Sequence, residues 1–280
     1  MSTQALRMVD SLPPLRAIAA MLRAFAQADA SADLRPLIEV LGKEPGVTAR
    51  VIAVANSAYY APLRPVASVE DAAVVLGIRT LKTVVLGVIL NAPFDPSRCA
   101  AFSVDRFWTD AFMTAVSTGY VVEALPEPPP VERSTLYALG LVHSLGLLLL
   151  ADQAPEALTR ALERSDEGEL TLLEAERAEL DGLDHYESGA QLLEHWGLPV
   201  IFPVTLRDLG AVRLKPSVAL EPVTAIVARA KGLVAQLGHG AEGFETPLLA
   251  LPDGFVEQVR AEYEREHELA LQLAQMLTEP

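Results

Sequence analysis

Apolar residues recur along most of this chain at three- and four-residue spacing, the period of a helix with one buried face. After Pro13-Pro14, one stripe runs through Leu15, Ile18, Ala19, Leu22 and Phe25, and a second through Leu34, Leu37, Ile38 and Leu41, closed by Gly42. Pro45 restarts the pattern with Val47, Val51, Val54 and Ala55. Ser68 and Asp71 resemble a capping box ahead of Ala72, Val75 and Leu76, and Gly77 stops that short helix. The run from Thr80 to Leu90 is rich in β-branched residues, which suit strands. Yet Leu81, Val84, Val85, Val88 and Ile89 share one helical face and the run is long for a strand, so it predicts a buried helix.

Beyond the loop opened by Pro93 and Pro96, a long helix is expected from about Val104 to Leu125, stopped by the stiff Pro126–Pro130 stretch. Further helices are expected over about Ser134–Asp152 and from Pro155 to about Arg164. Thr171 with Glu174, and Asp184 with Glu187, begin two more that end near Gly182 and at Gly197. A short helix after Pro199 and two longer ones, near Ser217–Leu237 and Gly254–Leu277, complete the chain. There is no convincing strand pair and no repeat of solenoid period. The reading is all-α, with short loops and a division near residue 95.

Composition narrows the classes of function. The chain is 51% hydrophobic but only 6% aromatic, so Ala, Leu and Val must build a close-packed interior. The formal net charge of −15 comes without a basic stripe, which argues against nucleic acid and against anionic lipid as partners. Cys99 is the one cysteine, so an internal disulfide is excluded and a reducing, cytoplasmic setting is expected. The first residues lack a basic start followed by an apolar run, so no signal peptide is expected. The most apolar stretch, Leu136–Ala151, holds His143 and Ser144 and is short for a membrane span; it reads as a core helix.

Three patterns look like chemistry and are better explained otherwise. Gly238, Gly240 and Gly243 spell G-x-G-x-x-G, but they follow a helical stripe rather than a strand, so a helix stop and loop is expected. His143-Ser144 with Gly146 looks like a nucleophile elbow, but Val142 stands where its first glycine is required. Cys99 lies beside Arg98, which could lower its pKa, yet it has no evident histidine partner.

One constellation is specific when taken together. Leu139-Gly-Leu-Val-His-Ser-Leu-Gly is followed some forty residues later by Leu183-Asp-His-Tyr-Glu-Ser-Gly-Ala, and then by Gln191-Leu-Leu-Glu-His-Trp-Gly-Leu-Pro199. Ahead of these stand Leu12-Pro-Pro-Leu, Glu44-Pro-Gly-Val-Thr-Ala-Arg, Ala55-Asn-Ser-Ala-Tyr-Tyr60, Ser68-Val-Glu-Asp-Ala and Leu76-Gly-Ile-Arg-Thr-Leu81. In order and spacing, from about Leu12 to Leu209, the chain resembles the HDOD family, the output-domain relatives of HD phosphohydrolases. The resemblance implies a multi-helical HD-like fold, with an N-terminal lobe of about residues 8–95 packed on a core of about 100–212. Residues 213–280 would form a C-terminal helical extension packed on that core. It also implies a bacterial signalling context in which relatives act as regulatory modules.

An active HD site holds metal ions between histidines and aspartates from several helices, with an adjacent His-Asp pair at its centre. By the resemblance, that pair is His143-Ser144 here, and serine cannot replace the carboxylate's charge. The upstream histidine position, which follows Trp108 closely, falls on Asp110. The histidine after Trp-Gly-Leu-Pro falls near Leu209 and Gly210, and the final aspartate near Lys231, which would repel a cation. His143, His185 and Asp110 thus remain as vestigial metal-site positions. Three such ligands could hold one zinc ion in principle. The expected state is instead two buried, neutral, hydrogen-bonded histidines, with no catalytic residue, metal or cofactor. Asn56, Ser57, Tyr59 and Tyr60 could line a groove between the lobes, although helix-end hydrogen bonding and packing explain them more simply. His195 is expected to cap or pack at a helix end.

The functional expectation is a non-catalytic signalling module with a protein partner and no nucleic-acid or membrane partner. The alternatives are a divergent metal-dependent phosphohydrolase using His143, His185 and Asp110, and a sensor binding a nucleotide-like small molecule in the former metal cavity.

Overall fold

A computed structural model of the chain describes residues 45–57, 59–214, 220–238 and 253–278. These residues form helices and no strand. In chain order the helices are α1 (Pro45–Ala55), α2 (Val69–Leu76), α3 (Ile78–Asn91), α4 (Val104–Glu123), α5 (Arg133–Val142) and α6 (Leu145–Gln153). They continue as α7 (Pro155–Asp166), α8 (Leu172–Glu179), α9 (His185–His195), α10 (Ile201–Leu214), α11 (Pro222–Gln236) and α12 (Phe255–Thr278). The stripes at Leu15–Phe25 and Leu34–Leu41, and Gly240 and Gly243 of the glycine motif, lie outside the described residues.

The local signals act as their chemistry requires. Ser68 accepts a hydrogen bond from the Asp71 amide and starts α2, and Gly77, at φ 75°, ends it. Thr171 and Glu174 form a reciprocal capping box on α8. Asp184 accepts from the Glu187 amide and starts α9. Despite its β-branched residues, α3 is a helix, with Leu81, Val84, Val85, Val88 and Ile89 all buried.

Two elements differ from the sequence reading. The helix expected over Ser134–Asp152 is split, with His143 and Ser144 in a turn between α5 and α6. The His143 ring donates from Nδ1 to the Gly140 carbonyl at 2.6 Å. That oxygen would otherwise accept the Ser144 amide of a continuing helix, so the side chain competes with the backbone. The helix after Pro199 is a full 14 residues, not a short one. Pro203 is its third residue, in the first turn, where the missing N–H has no intrahelical role.

Helix α4 is the axis of the fold. Fourteen of its 20 residues are buried, too many for a single face, and it packs against α5, α11 and α12. Counted as one stretch, Arg133–Gln153 is long and apolar enough to cross a membrane, but 89% of its apolar window is buried in the protein. It is a core element.

The α1–α3 lobe is tied to the rest by α12. Arg50 and Asn91 both donate to the Leu277 carbonyl, at 3.1 and 3.4 Å, and the Leu277 side chain lies against Gly87. Trp108 of α4 adds a bond from Nε1 to Asn91 Oδ1 at 3.1 Å.

Candidate functional site

Close helix approach builds the centre of the molecule. A Cβ on Gly146 would lie 1.9 Å from the His185 carbonyl oxygen and 2.7 Å from the Gly189 amide nitrogen. Only glycine lets the start of α6 meet the start of α9 in this way. The contact brings the His143-Ser144 turn beside His185. Gly140 makes a similar contact with Ala115, which seats α5 on α4 and places His143 near Asp110.

The resulting cluster is buried. His143 and Ser144 are 0% and 1% exposed, His185 1% and Asp110 4%. His143 Nε2 faces Asp110 Oδ2 at 3.5 Å. Burial pushes the His143 pKa down to about 4, the nearby Lys231 charge acting in the same direction and Asp110 against it. His143 is therefore neutral near pH 7, with its proton on Nδ1 and its Nε2 lone pair turned into the cluster. Ser144 Oγ has no hydrogen-bond partner among the described residues.

His185 is held from below by Glu176 of α8. Its ring Nδ1 donates to Glu176 Oε2 at 2.7 Å and its own amide donates to the same oxygen at 3.0 Å. The neighbouring Tyr186 ring lies 4.1 Å from that of His185, with Lys231 Nζ 5.8 Å from its centroid. Burial pushes the Tyr186 hydroxyl up to about 12. Tyr263 of α12 is fully buried, and burial together with the Asp110 charge drives its pKa upward. Lys231 of α11 is 5% exposed; burial lowers its pKa to about 7, with Asp110 opposing, Arg213 adding to the effect and Glu176 opposing again.

The structure thus pairs Asp110 with His143 beside Ser144, and sets the His185 backbone against Gly146 with its ring on Glu176. Glu176, Tyr186 and Tyr263 join them without having been singled out in the sequence. A signal for Glu176 was present: it lies four residues from both Leu172 and Leu180, on the apolar stripe of its helix. Lys231 carries the same mark, between Val227 and Val234.

The remaining candidates lie elsewhere. The Asn56 side chain donates to the Ile52 and Val66 carbonyls at 3.0 and 2.8 Å and accepts from the Val66 amide at 2.8 Å, so it pins the loop after α1. Ser57 and Tyr60 are half-buried; Tyr59 is exposed, edge-on to Tyr60 with ring centroids 4.9 Å apart. His195 is the last residue of α9. Cys99 is buried, 3.4 Å from Thr159 Oγ1, and burial raises its pKa; Arg98 lies toward Glu156 at 3.8 Å.

The cluster does not suit a divalent metal. Among the described residues, no three His, Cys, Asp or Glu side chains gather where an ion could sit. The space beside Asp110 and His143 is also within the field of the Lys231 charge. A cavity of about 420 Å³ is lined by Tyr186 together with, among others, Arg177, Asp184, Glu187, Gln191 and Arg207. Its charges are already matched: Arg177 pairs with Asp184 at 3.0 Å, and Arg207 with Glu187 and Glu194 at 3.0 and 2.6 Å.

The HDOD domain family profile matches residues 12–209. The chain belongs to the HDOD family. Solved structures share the fold of this HDOD protein. An HDOD domain protein of unknown function from Geobacter sulfurreducens aligns over 97% of both chains, at 19% identity and TM-score 0.69. A candidate signal transduction protein from Marinobacter aquaeolei VT8 aligns with 99% of this chain and 65% of its own, at 20% identity and TM-score 0.76. A candidate phosphohydrolase from Shewanella amazonensis SB2B aligns over 99% of both, at 22% identity and TM-score 0.66. At these identities the likeness establishes the fold. No curated protein matches the chain. The family match ends at residue 209, whereas α11 and α12 of this HDOD protein place Lys231 and Tyr263 in the buried interior.

Proposed function

We propose that this HDOD protein is a non-catalytic regulatory module of bacterial signal transduction that acts from the cytoplasm by binding a protein partner. The observation that carries the reading is the sealed cluster: His143, Ser144 and His185 are at most 1% exposed, so a substrate cannot reach the atoms that would act on it. Ser144 adds no charge where a carboxylate would be needed to hold a divalent ion. Both histidine Nδ1 positions are engaged, one with Gly140 and one with Glu176, which suits a structural role. A helical frame of this size retains ample surface for a partner.

The test is enzymatic and physical. Purified protein, supplied with Mn2+, is assayed on phosphomonoesters, nucleotides and cyclic dinucleotides, and no turnover above background is expected. Metal-dependent turnover that disappears in His143→Ala would sink the reading. A signalling protein captured from the native host should bind again when both components are purified. A sensor role is the second reading, favoured by the cavity beside Tyr186. A nucleotide or phosphate ester that raises the melting temperature in proportion to its occupancy would support it.

A further inference from the structure

The cavity lined by Tyr186 is bounded by α8, α9, α10 and the turn between α8 and α9, and Gly182, Gly210 and Ala211 are small enough to leave it open. At about 420 Å³ it falls within the roughly 300–1,000 Å³ of small-molecule pockets. Its polar residues hold one another in place. Asp184, Glu187 and Gln191 lie at three- and four-residue spacing along one stripe of α9. Asp184 accepts from Arg177 Nη1 at 3.0 Å through Oδ2 and from the Glu187 amide at 2.9 Å through Oδ1. Arg207 spends its Nε and both Nη atoms on Glu187 and Glu194, at 2.6 to 3.3 Å.

Two lining groups keep hydrogen-bonding capacity. Among the described residues Arg177 engages only Nη1, so its Nε–Nη2 edge, the planar fork that fits a carboxylate, has no acceptor. Gln191 is 5% exposed and gives its Nε2 to Glu187 Oε1 at 2.8 Å, while its Oε1 has no hydrogen-bond partner among the described residues. A buried amide oxygen left without a donor is costly. The lining charges balance, Arg177 and Arg207 against Asp184 and Glu187, and the chain as a whole carries −15. A phosphate ester would bring excess negative charge to one open fork with no spare cation. A ligand of zero net charge, with its own carboxylate and its own donor, fits both open groups.

We propose that this cavity binds a small zwitterion of the free amino-acid class, its carboxylate on the Nε–Nη2 edge of Arg177 and its ammonium donating to Gln191 Oε1. The inference rests on the sensor reading of the cavity and narrows the ligand away from nucleotides. Arg177 belongs to α8 and Gln191 to α9, so the ligand braces the two helices that Glu176 and His185 join in the interior, and occupancy stabilises the fold.

Full-length wild type, Arg177→Lys and Ala211→Leu are compared by thermal melts and calorimetric titration. The probes are each common free amino acid, the decarboxylated amine of any that binds, AMP and inorganic phosphate. At least one amino acid should bind wild type saturably and raise its melting temperature, and its decarboxylated amine should not. Arg177→Lys keeps a cation for Asp184 but loses the fork, so the Kd should rise about tenfold or more. Ala211→Leu puts a larger side chain into the cavity from an exposed position on α10 and should abolish binding, with its unliganded melt as the folding control. Binding of AMP or phosphate that Ala211→Leu abolishes, without amino-acid binding, would leave the sensor reading standing and overturn the zwitterion. Saturable binding by none of the probes would overturn both. Amino-acid binding that Ala211→Leu retains at full affinity lies elsewhere and would also overturn the proposal. If Arg177→Lys does not fold, Ala211→Leu decides alone.

Discussion

Glu176 accepts two hydrogen bonds from His185, one from the ring at 2.7 Å and one from the backbone amide at 3.0 Å, through a single carboxylate oxygen. The pair links α8 to the first residue of α9. It satisfies one of the amides that a helix start leaves without an intrahelical acceptor and fixes the ring proton on Nδ1. His185 is thereby held as a buried strut against the α6 contact at Gly146.

Removing that acceptor should be costly. Glu176→Leu strands both His185 donors in the interior, and a loss of about 3 kcal/mol is expected. Glu176→Gln keeps an oxygen acceptor and should lose clearly less. Urea unfolding of the two variants beside wild type checks the order.

The Gly146 contact gives a sharper contrast. Gly146→Ala would drive a methyl to 1.9 Å from the His185 carbonyl, so α6 and α9 must separate. A loss of about 3 kcal/mol or more is expected, since two backbones rather than a flexible side chain must move. Gly119 of α4 has open space around its Cβ position, and Gly119→Ala should be neutral or stabilise by up to about 1 kcal/mol through helix propensity. Thermal melts of the two alanine variants should move in different directions or by very different amounts.

Much of this architecture was legible in the sequence, and the reasons are local. Helical periodicity located α3 and α4, while paired polar residues located the starts of α2, α8 and α9. The resemblance placed Asp110, His143 and His185 at one centre; in the structure His143 pairs with Asp110, while the His185 ring pairs with Glu176. The break at His143 was hidden because the apolar pattern continues through it; the competing bond to Gly140 exists only once the ring is packed. The length of α10 was hidden by Pro203, whose tolerance depends on its position in the first turn. Glu176 and Lys231 lie on apolar stripes, a signal that a charge is to be buried but one that does not say with whom. Their partners come from helices distant in sequence.

The buried His143 predicts an acid response. Its pKa falls from 6.5 in the unfolded chain to about 4 in the fold, by burial first and the Lys231 charge second. Between these values the unfolded state binds the extra proton. Stability from this group is therefore fully present above pH 6.5 and is lost as pH falls through 4, for a total of about 3 kcal/mol. His143→Gln should flatten this part of the profile. Urea midpoints at pH 7 and pH 4.5 should differ less in the variant than in wild type, and equal differences would count against a neutral, sealed His143.

The last prediction concerns the end of the chain. The family match stops at residue 209, but α12 packs on α4 and α3 and buries Phe255, Tyr263, Ala270, Leu273, Ala274 and Leu277. Its Leu277 carbonyl also accepts from Arg50 and Asn91, so it connects the α1–α3 lobe to the central helix. A chain shortened after residue 238 would expose the apolar flank of α4 and remove the acceptor of two side chains at once. Such a protein should bind a hydrophobic dye, lose its cooperative thermal transition and become protease-sensitive in α1–α3 before α5–α9, because only the lobe loses its bracket. Limited proteolysis followed by mass spectrometry reads the order, and a truncated chain that melts like the full one would show that the lobe and core hold together without α12.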